Sequence, residues 1–591
     1  MLETHRMVFV SLIASIFLFG GLLIYTKILK KKVNYLVLLI IISFLPLISI
    51  FRNGTYESGD LTLHAKFAAQ FFDNIFQGNF IPQWMGNHCG TYGCPVYIFI
   101  YPFPYYIASF FHIIGLSFIG SIKLLLITSF IASGVGMYLW IRKELDELAG
   151  FVAGIFYLFA PYHLIDLHFR VAIGEMVSFA ILPFTFLLTK RLVESKKTFY
   201  FVFEAITFGL LIISHQVTSF VALPLLLGYS FIVWRRFKER KLSSLIIPFF
   251  SQILGILLAS FYWIPVLIEG KLTWYVADDK IDFHPLSSFL YSENRFGLLF
   301  QGHRGELYMN VGYLQWIVLG IAIYLLIKKK VKSKNYYLLT VCIVVFLVLF
   351  LLMQEITRPI WNLTPLLKNF QFTWRLMIEV SLITSVIAAI VTKMFPKKLV
   401  YLLCFLTIMY TILNWGNRKM VPFLTDSQIR TQPLFTETPG IVDLTTPNSV
   451  NRNQPWIGKF PKSHIEIFSG KGEIKMLTRS MTHHQYIAKA DTLLDVKENT
   501  YYYPGWKVLI NDQPTKIDYK NKTYTGIITF KVPKGLKKID VIFTDTWDRM
   551  IGKWVSAITL LGLSGYLLFR RKIGSILEIY TPTPTKKRKH R

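Results

Sequence analysis

Apolar runs of about 15–22 residues recur along this chain, and short clusters of lysine and arginine punctuate them. A run of that length crosses a bilayer as a helix, and the basic clusters mark cytoplasmic ends. Together they predict about thirteen spans. The first covers 7–25, the second 33–51, the third 121–141 and the fourth 148–160. A fifth reaches Lys190-Arg191, a sixth stops before Ser214-His215-Gln216, and a seventh ends at 235–241. Then come 244–265, a ninth ending at 328–334, a tenth leading to 354, an eleventh ending at 393–398, a twelfth at 399–414 and a last at 553–570. This order puts the N-terminus outside and the C-terminus in the cytoplasm of a multi-pass plasma-membrane protein. The first run lacks a small-residue cleavage site and reads as a retained span rather than a signal peptide. Residues 97–114 are apolar but carry Pro102 and Pro104, so they read as an interfacial helix. A crossing there would put Arg142-Lys143 outside, against the positive-inside bias.

Residues 415–550 are a different kind of sequence. Apolar runs shorten, and segments such as 507–510, 526–532 and 538–543 alternate or are β-branched, with turn signals at Asn511-Asp512 and Lys534-Gly535 between them. The expected fold is an α-helical polytopic membrane protein with a small extracytoplasmic β-rich domain. Its transmembrane domain covers 1–414, with outer loops at 53–120, 161–173, 266–310 and 354–375. A β-sandwich-like domain covers 415–550, a C-terminal transmembrane helix 551–572, and a basic cytoplasmic tail 573–591.

Composition sharpens this picture. Of 591 residues, 53% are hydrophobic and 16% aromatic, with a mean hydropathy of +0.45, which excludes a soluble protein of this size. The net charge of +30 is spread over clusters between apolar runs, which fits anionic lipid headgroups rather than nucleic acid. Of four cysteines, Cys342 and Cys404 fall inside apolar runs. Cys89 and Cys94 flank Gly-Thr-Tyr-Gly in the first outer loop, where either a small disulfide or free thiols would fit. A zinc pair lacks further ligands at the right spacing. Gly-rich phosphate loops, HExxH and GxSxG are absent from the sequence.

Charges at a membrane boundary are costly and are candidates for chemistry. Asp60, in Ser58-Gly59-Asp60 ahead of an apolar helix, has the position of an ordinary N-cap and equally of a general base. His64 follows on the same helix face. The second outer loop crowds His163, Asp166, His168, Arg170 and Glu175 into thirteen residues. Arg170 there can pair with Asp166 or Glu175, or hold a phosphate with a histidine while Glu175 orients it. Trp374 and Arg375 stand where the eleventh span enters. An arginine on the outer side departs from the positive-inside bias and points to a bound anion. Loop 266–310 adds Asp278-Asp279, Asp282, His284, Glu293, Arg295, His303, Arg304 and Glu306; adjacent acids make a poor metal signature, and this loop reads as solvated.

Three stretches carry a family resemblance: SGDLTLH with QGNFIPQW and GTYGCPVYIFIYPFPYY, then APYHLIDLHFRVAIGE, then FQFTWR. They resemble the multi-span membrane proteins called 6-pyruvoyl-tetrahydropterin synthase-related, which are similar to YfhO-like proteins and stand with the GT-C glycosyltransferases. The segment YYPGWK with a later VPKG is similar to the end of YfhO-like chains. Nothing in these motifs looks like pterin chemistry. The resemblance implies a glycosyltransferase that moves a sugar from a polyprenyl-phosphate donor to an extracytoplasmic acceptor, with an acid in the first outer loop as base. Asp60 occupies that place, behind one additional N-terminal span. The expected catalytic residues are Asp60 and Glu175. His64, His163, His168, Arg170, Trp374 and Arg375 are expected to bind substrate. No cofactor is required, and a divalent metal is compatible. The competing expectation is a lipid or glycolipid transporter, which would show Gly- or Pro-broken spans at mid-bilayer.

Overall fold

The computed structural model describes residues 2–580 except 238–239, 275–280, 292–308, 332, 365–366, 368–369, 417–419, 422–423, 432–445 and 451–459. Asp278-Asp279, Glu293, Arg295, His303, Arg304 and Glu306 therefore lie outside the described residues. The chain is mostly helical, and its β structure is concentrated after residue 460.

Among the described residues, eight helices are long and apolar enough to cross a membrane, or ten if two bent pairs each make one crossing. Three further apolar helices, Tyr35–Phe51, Thr198–Ile212 and Tyr313–Ile327, are shorter, at 10–17 residues. Length and hydropathy thus establish eight to ten spans among the described residues, and the count of thirteen is not established. The bundle closes through small residues. Gly150 and Gly154 lie four apart on Glu147–Leu158, the spacing that lets helix backbones approach. A Cβ at Gly150 would sit 2.8 Å from the Tyr138 carbonyl oxygen, and one at Gly154 would sit 2.6 Å from Leu39. The central helix, Met377–Thr392, is buried on every side. Ser381, Ser385 and Thr392 return their hydroxyls to carbonyls one turn back, whereas Glu379 on the same helix is buried with neither carboxyl oxygen hydrogen-bonded among the described residues.

Two breaks shape the end of the bundle that carries the loops. Glu147–Leu158 and Pro161–Arg170 meet at 49°, and Leu242–Leu258 and Ser260–Leu272 meet at 67°. Pro161 opens its helix at a position where the missing N–H costs nothing. The second segment then widens into a π-turn, Asp166–Arg170, a feature frequent at functional sites. Val171 leaves that turn at φ 57°, a left-handed conformation that a β-branched residue rarely adopts.

The β domain has an all-antiparallel five-stranded sheet and a three-stranded sheet. Short strands β1 (Thr55–Tyr56) and β2 (Met420–Val421) pair elsewhere, tying the first loop to the end of the helical region. The domain itself holds β3 (Ile465–Ser469), β4 (Gly472–Arg479), β5 (His483–Ala490), β6 (Leu494–Tyr501), β7 (Trp506–Ile510), β8 (Gln513–Thr515), β9 (Ile527–Val532) and β10 (Gly535–Phe543). The larger sheet runs β4-β5-β10-β7-β8 and the smaller β3-β6-β9. Loop 77–94 is fastened to this domain. Trp84 packs edge-on to Trp506 at 5.3 Å, and Tyr92 stacks on Tyr501 at 4.9 Å. Cys89 and Cys94, left open by the sequence, form a disulfide around Tyr92.

Candidate functional site

The site begins with backbone. Ser58-Gly59-Asp60 lies against the π-turn: the Gly59 N–H donates to the Phe169 carbonyl at 2.7 Å, and the Asp60 N–H to the Arg170 carbonyl at 3.0 Å. Asp60 stands at the N-cap of Leu61–Phe76, yet its side chain makes no cap hydrogen bond. The carboxylate is half-buried and lies within electrostatic reach of Arg170 and Glu175. Burial pushes its pKa above the ordinary carboxylate value, with Arg170 pulling it down and Glu175 pushing it up.

Beside it, one arginine gathers three partners. Arg170 Nη1 donates to Asp166 Oδ1 at 2.6 Å and to the Tyr162 hydroxyl at 2.8 Å. Its Nη2 donates to Glu175 Oε1 at 2.8 Å, and the Tyr162 hydroxyl donates to Glu175 Oε2 at 2.5 Å. The sequence offered pairing of Arg170 with either acid; the structure has both at once. The fork is therefore occupied and largely neutralised. On the far side of Glu175, His215 Nε2 and Arg375 Nε each stand 3.9 Å from Oε1. Tyr101 packs edge-on to His215 at 5.9 Å and is backed by Gly174, where a Cβ would sit 2.4 Å from the tyrosine ring.

Arg375 belongs to the 3-10 turn Thr373–Leu376 that leads into the central helix. Its Nη1 donates to the Phe370 carbonyl at 2.8 Å, and its guanidinium lies 5.1 Å from the Phe372 ring. Arg375 Nε and the neighbouring Trp374 Nε1 are buried donors without a hydrogen-bond acceptor among the described residues. Trp374 stacks on Phe372 and meets His284 edge-on, both at 4.3 Å.

The predicted residues thus divide. Asp60, Arg170, Glu175 and Arg375 come together, with Trp374 on the same turn as Arg375. His64 is buried, with Nδ1 2.8 Å from the Tyr105 hydroxyl. Burial lowers its pKa to about 3, so at neutral pH it carries no charge for a phosphate. His163 stacks on Phe179 at 3.9 Å, with Nδ1 3.0 Å from the Tyr157 carbonyl. His168 is buried against Gly416, whose Cβ would sit 2.6 Å from its Nδ1. Both histidines are packed in the bundle core rather than with Asp60. Tyr162, Tyr101 and His215 are the residues of the cluster that sequence reasoning missed. Among the described residues no three His, Cys, Asp or Glu side chains are grouped to hold a metal ion.

Comparison with known proteins adds a family. Among curated proteins none matches this sequence. Similar solved structures include an Archaeoglobus fulgidus oligosaccharyltransferase in complex with Zn and sulfate, at 15% identity and a TM-score of 0.39. The alignment covers 67% of this chain and 53% of that one, so the chain spans about half the length of that protein. The archaeal oligosaccharyltransferase AglB from Archaeoglobus fulgidus, with an inhibitory peptide and a dolichol-phosphate, is similar at 14% identity and a TM-score of 0.38, covering 66% of this chain and 56% of that one. The arabinofuranosyltransferase AftD from Mycobacteria is similar at 14% identity and a TM-score of 0.40, covering 66% of this chain and 27% of that one. The profile of a membrane-protein family, the 6-pyruvoyl-tetrahydropterin synthase related domain, matches residues 98–420. That stretch is more than half of the chain and contains Arg170, Glu175, His215 and Arg375, so the protein belongs to the 6-pyruvoyl-tetrahydropterin synthase related family of membrane proteins.

Proposed function

We propose that this protein is a membrane glycosyltransferase of the GT-C type, moving a sugar from a polyprenyl-phosphate donor to an acceptor outside the cytoplasm. The observation that carries the reading is Asp60: a half-buried carboxylate at a helix N-cap that does not cap its helix, held beside an arginine–carboxylate cluster. An acceptor hydroxyl attacks the anomeric carbon while the bond from that carbon to the phosphate oxygen breaks. Asp60 takes the hydroxyl proton. The phosphate leaves as an anion, and the buried, unsatisfied Nε–H of Arg375 suits it. Arg170 has its donors on Asp166, Tyr162 and Glu175. We therefore assign it to positioning, with Glu175 accepting from Arg170 and standing 3.9 Å from Arg375 as the counter-charge common to both. A single displacement of this kind inverts the anomeric centre.

Asp60→Asn keeps the side-chain volume and removes the base. It is expected to lower transfer of radiolabel from a lipid-linked sugar about 10²–10⁴-fold, with the protein still inserted and folded. Undiminished transfer would exclude Asp60 as base. The two bent helix pairs are what a second reading, a lipid or glycolipid transporter, would draw on, though they break at the loop end of the bundle and not at mid-bilayer. The same assay separates the two, because a transporter moves labelled lipid across the bilayer without forming a labelled product.

A further inference from the structure

A second site lies at the other end of the bundle. It stands about 22 Å from Glu175, counted along Ile173–Ser195 as far as Lys190. A cavity of about 110 Å³ opens there between Gln216–Trp234 and Ser333–Leu352. Trp140, Phe186, Ile232, Val341 and Ile383 line it, one from each of five helices. An apolar cavity of this size stays dry and accepts apolar groups.

Two observations point to an occupant. The first is Gly228, on the cavity wall within Gln216–Trp234. Gly134, Gly136, Gly150 and Gly154 each sit where a Cβ would meet a neighbour within 3.0 Å. A Cβ at Gly228 meets nothing within 4 Å, as at the helical Gly20, Gly21, Gly320, Gly562 and Gly565; what sets Gly228 apart from these is its place on the cavity wall. A helix-interior glycine costs up to about 1 kcal/mol relative to alanine, and at this position no protein packing accounts for it. Pro224 lines the same wall one turn earlier, so the helix is thinned where the groove runs.

The second is charge. The polar end of the groove is Glu144, which accepts from the Tyr229 hydroxyl at 2.9 Å, pairs with Lys190 at 2.9 Å and pairs with Arg236. Lys190 also pairs with Glu194 at 2.9 Å. Arg235 lies 4.7 Å from the ring of Tyr337, across the groove mouth on the facing helix. Lys190 and Arg236 are thus paired with Glu144, and Lys190 also with Glu194, while Arg235 contacts the Tyr337 ring, so three cations stand with two carboxylates at the end of an apolar slot.

We propose that this groove binds one acyl chain of an anionic phospholipid from the surrounding bilayer, with the phosphate at Arg235 and Arg236. The lipid fills the seam between Gln216–Trp234 and Ser333–Leu352, which are otherwise joined through Met377–Thr392, a helix that packs on both. The site is independent of the Asp60 cluster and of the reaction assigned to it.

The test uses the full chain purified in detergent, with thermal unfolding and native mass spectrometry after addition of phosphatidylglycerol, phosphatidylcholine, diacylglycerol or polyprenyl phosphate. Phosphatidylglycerol is expected to raise the unfolding temperature and to remain bound, with the two neutral lipids giving less than half the shift. Gly228→Trp fills the slot. It is expected to weaken phosphatidylglycerol binding at least about tenfold, a loss of about 1.4 kcal/mol, and to leave the unfolding temperature without lipid unchanged. Gly228→Leu repeats the measurement should the indole disturb folding, and Arg235→Gln is expected to remove the preference over phosphatidylcholine. Equal shifts from neutral lipids would overturn the proposal. So would an undiminished shift in both Gly228 variants, or preferential binding of polyprenyl phosphate.

Discussion

Gly59 shows how closely single residues set the site. Its N–H and that of Asp60 both bond to backbone carbonyls of the π-turn, and a Cβ at residue 59 would lie 3.0 Å from the Arg170 carbonyl oxygen. Backbone cannot swing aside as a side chain can, so Gly59→Ala should displace Asp60 from Arg170. Relieving a 3.0 Å contact takes a few tenths of an ångström, and misplacement by a full ångström costs about 10²-fold in rate. We expect transfer to fall by less than that factor in Gly59→Ala, with the thermal unfolding midpoint little changed, measured on the same preparation. As the proposed base, Asp60 also predicts a pH dependence. Burial first, and Glu175 second, raise its pKa against the pull of Arg170. The base works only when ionised, so kcat/KM should climb with pH through a limb above the ordinary carboxylate value of about 3.9. Stability runs the other way: the protonated form is favoured in the folded state, and that contribution is lost as pH rises through the raised pKa. Asp60, Arg170, Glu175 and Arg375 were legible because charge at a span boundary is rare and costly. Tyr162 and Tyr101 were not, because two among 31 tyrosines carry no signal until the fold brings them to an arginine and a histidine. His163 and His168 share a loop with Arg170 in sequence, but the broken helix turns them inward to Phe179 and Gly416.

Three of the eight strands in the β domain were read from the sequence, and β3, β4, β5, β6 and β8 were not. Segments 507–510, 526–532 and 538–543 correspond to β7, β9 and β10, because alternation and β-branching survive in a half-exposed sheet. Asn511 and Asp512 both take positive φ, at 47° and 63°, which is the turn that joins β7 to β8. What the pattern hid is polar and internal. Glu498 on β6 is fully buried, and its Oε1 accepts from Arg479 at 2.6 Å and from the Tyr486 hydroxyl at 3.0 Å, with His484 Nδ1 at 2.9 Å. In the sequence it is one acid in a polar strand, LDVKENTY, with its partners on β4 and β5. Burial pushes the Glu498 pKa up, but His484 and Arg479 outweigh it and hold the value at about 2. A depressed carboxylate contributes stability above its ordinary value of 4.5 that drains away as pH falls toward 2. Burial also lowers the His484 pKa against the pull of Glu498, so its contribution is lost in the same direction. Glu498→Gln leaves Arg479 without its counter-charge and should cost about 3–5 kcal/mol. Acid titration of the unfolding midpoint should show a flatter profile for the variant than for the parent between those two pH values.

At the scale of the whole molecule, three parts meet at one arginine. Arg549, fully buried near the start of the last helix, donates from Nε to Glu269 Oε1 at 2.7 Å and from Nη2 to Glu269 Oε2 at 2.8 Å. Its Nη2 also reaches the Pro504 carbonyl at 2.9 Å, and its guanidinium lies 4.8 Å from the Phe543 ring. Glu269 belongs to the second bent helix pair, Pro504 to the turn between β6 and β7, and Phe543 to β10. Close packing continues below, where a Cβ at Gly552 would sit 2.6 Å from the Ser260 carbonyl and Ser556 accepts from the Phe261 N–H at 2.9 Å. The same helix carries Tyr262, whose hydroxyl donates to Gln216 Oε1 at 2.5 Å, next to His215. A change at Arg549 therefore has a contiguous route to the residues around Glu175. Arg549→Ala strands a buried carboxylate and should cost about 3–5 kcal/mol. Arg549→Lys should recover little of it, because an ammonium cannot make the two parallel bonds. The double variant Arg549→Met with Glu269→Leu removes both charges and should be more stable than either single change. If the ion pair also sets the bent helix against the site, the double variant should remain folded yet transfer sugar with a raised KM. Full activity in it would limit Arg549 to holding the last helix and the β domain in place.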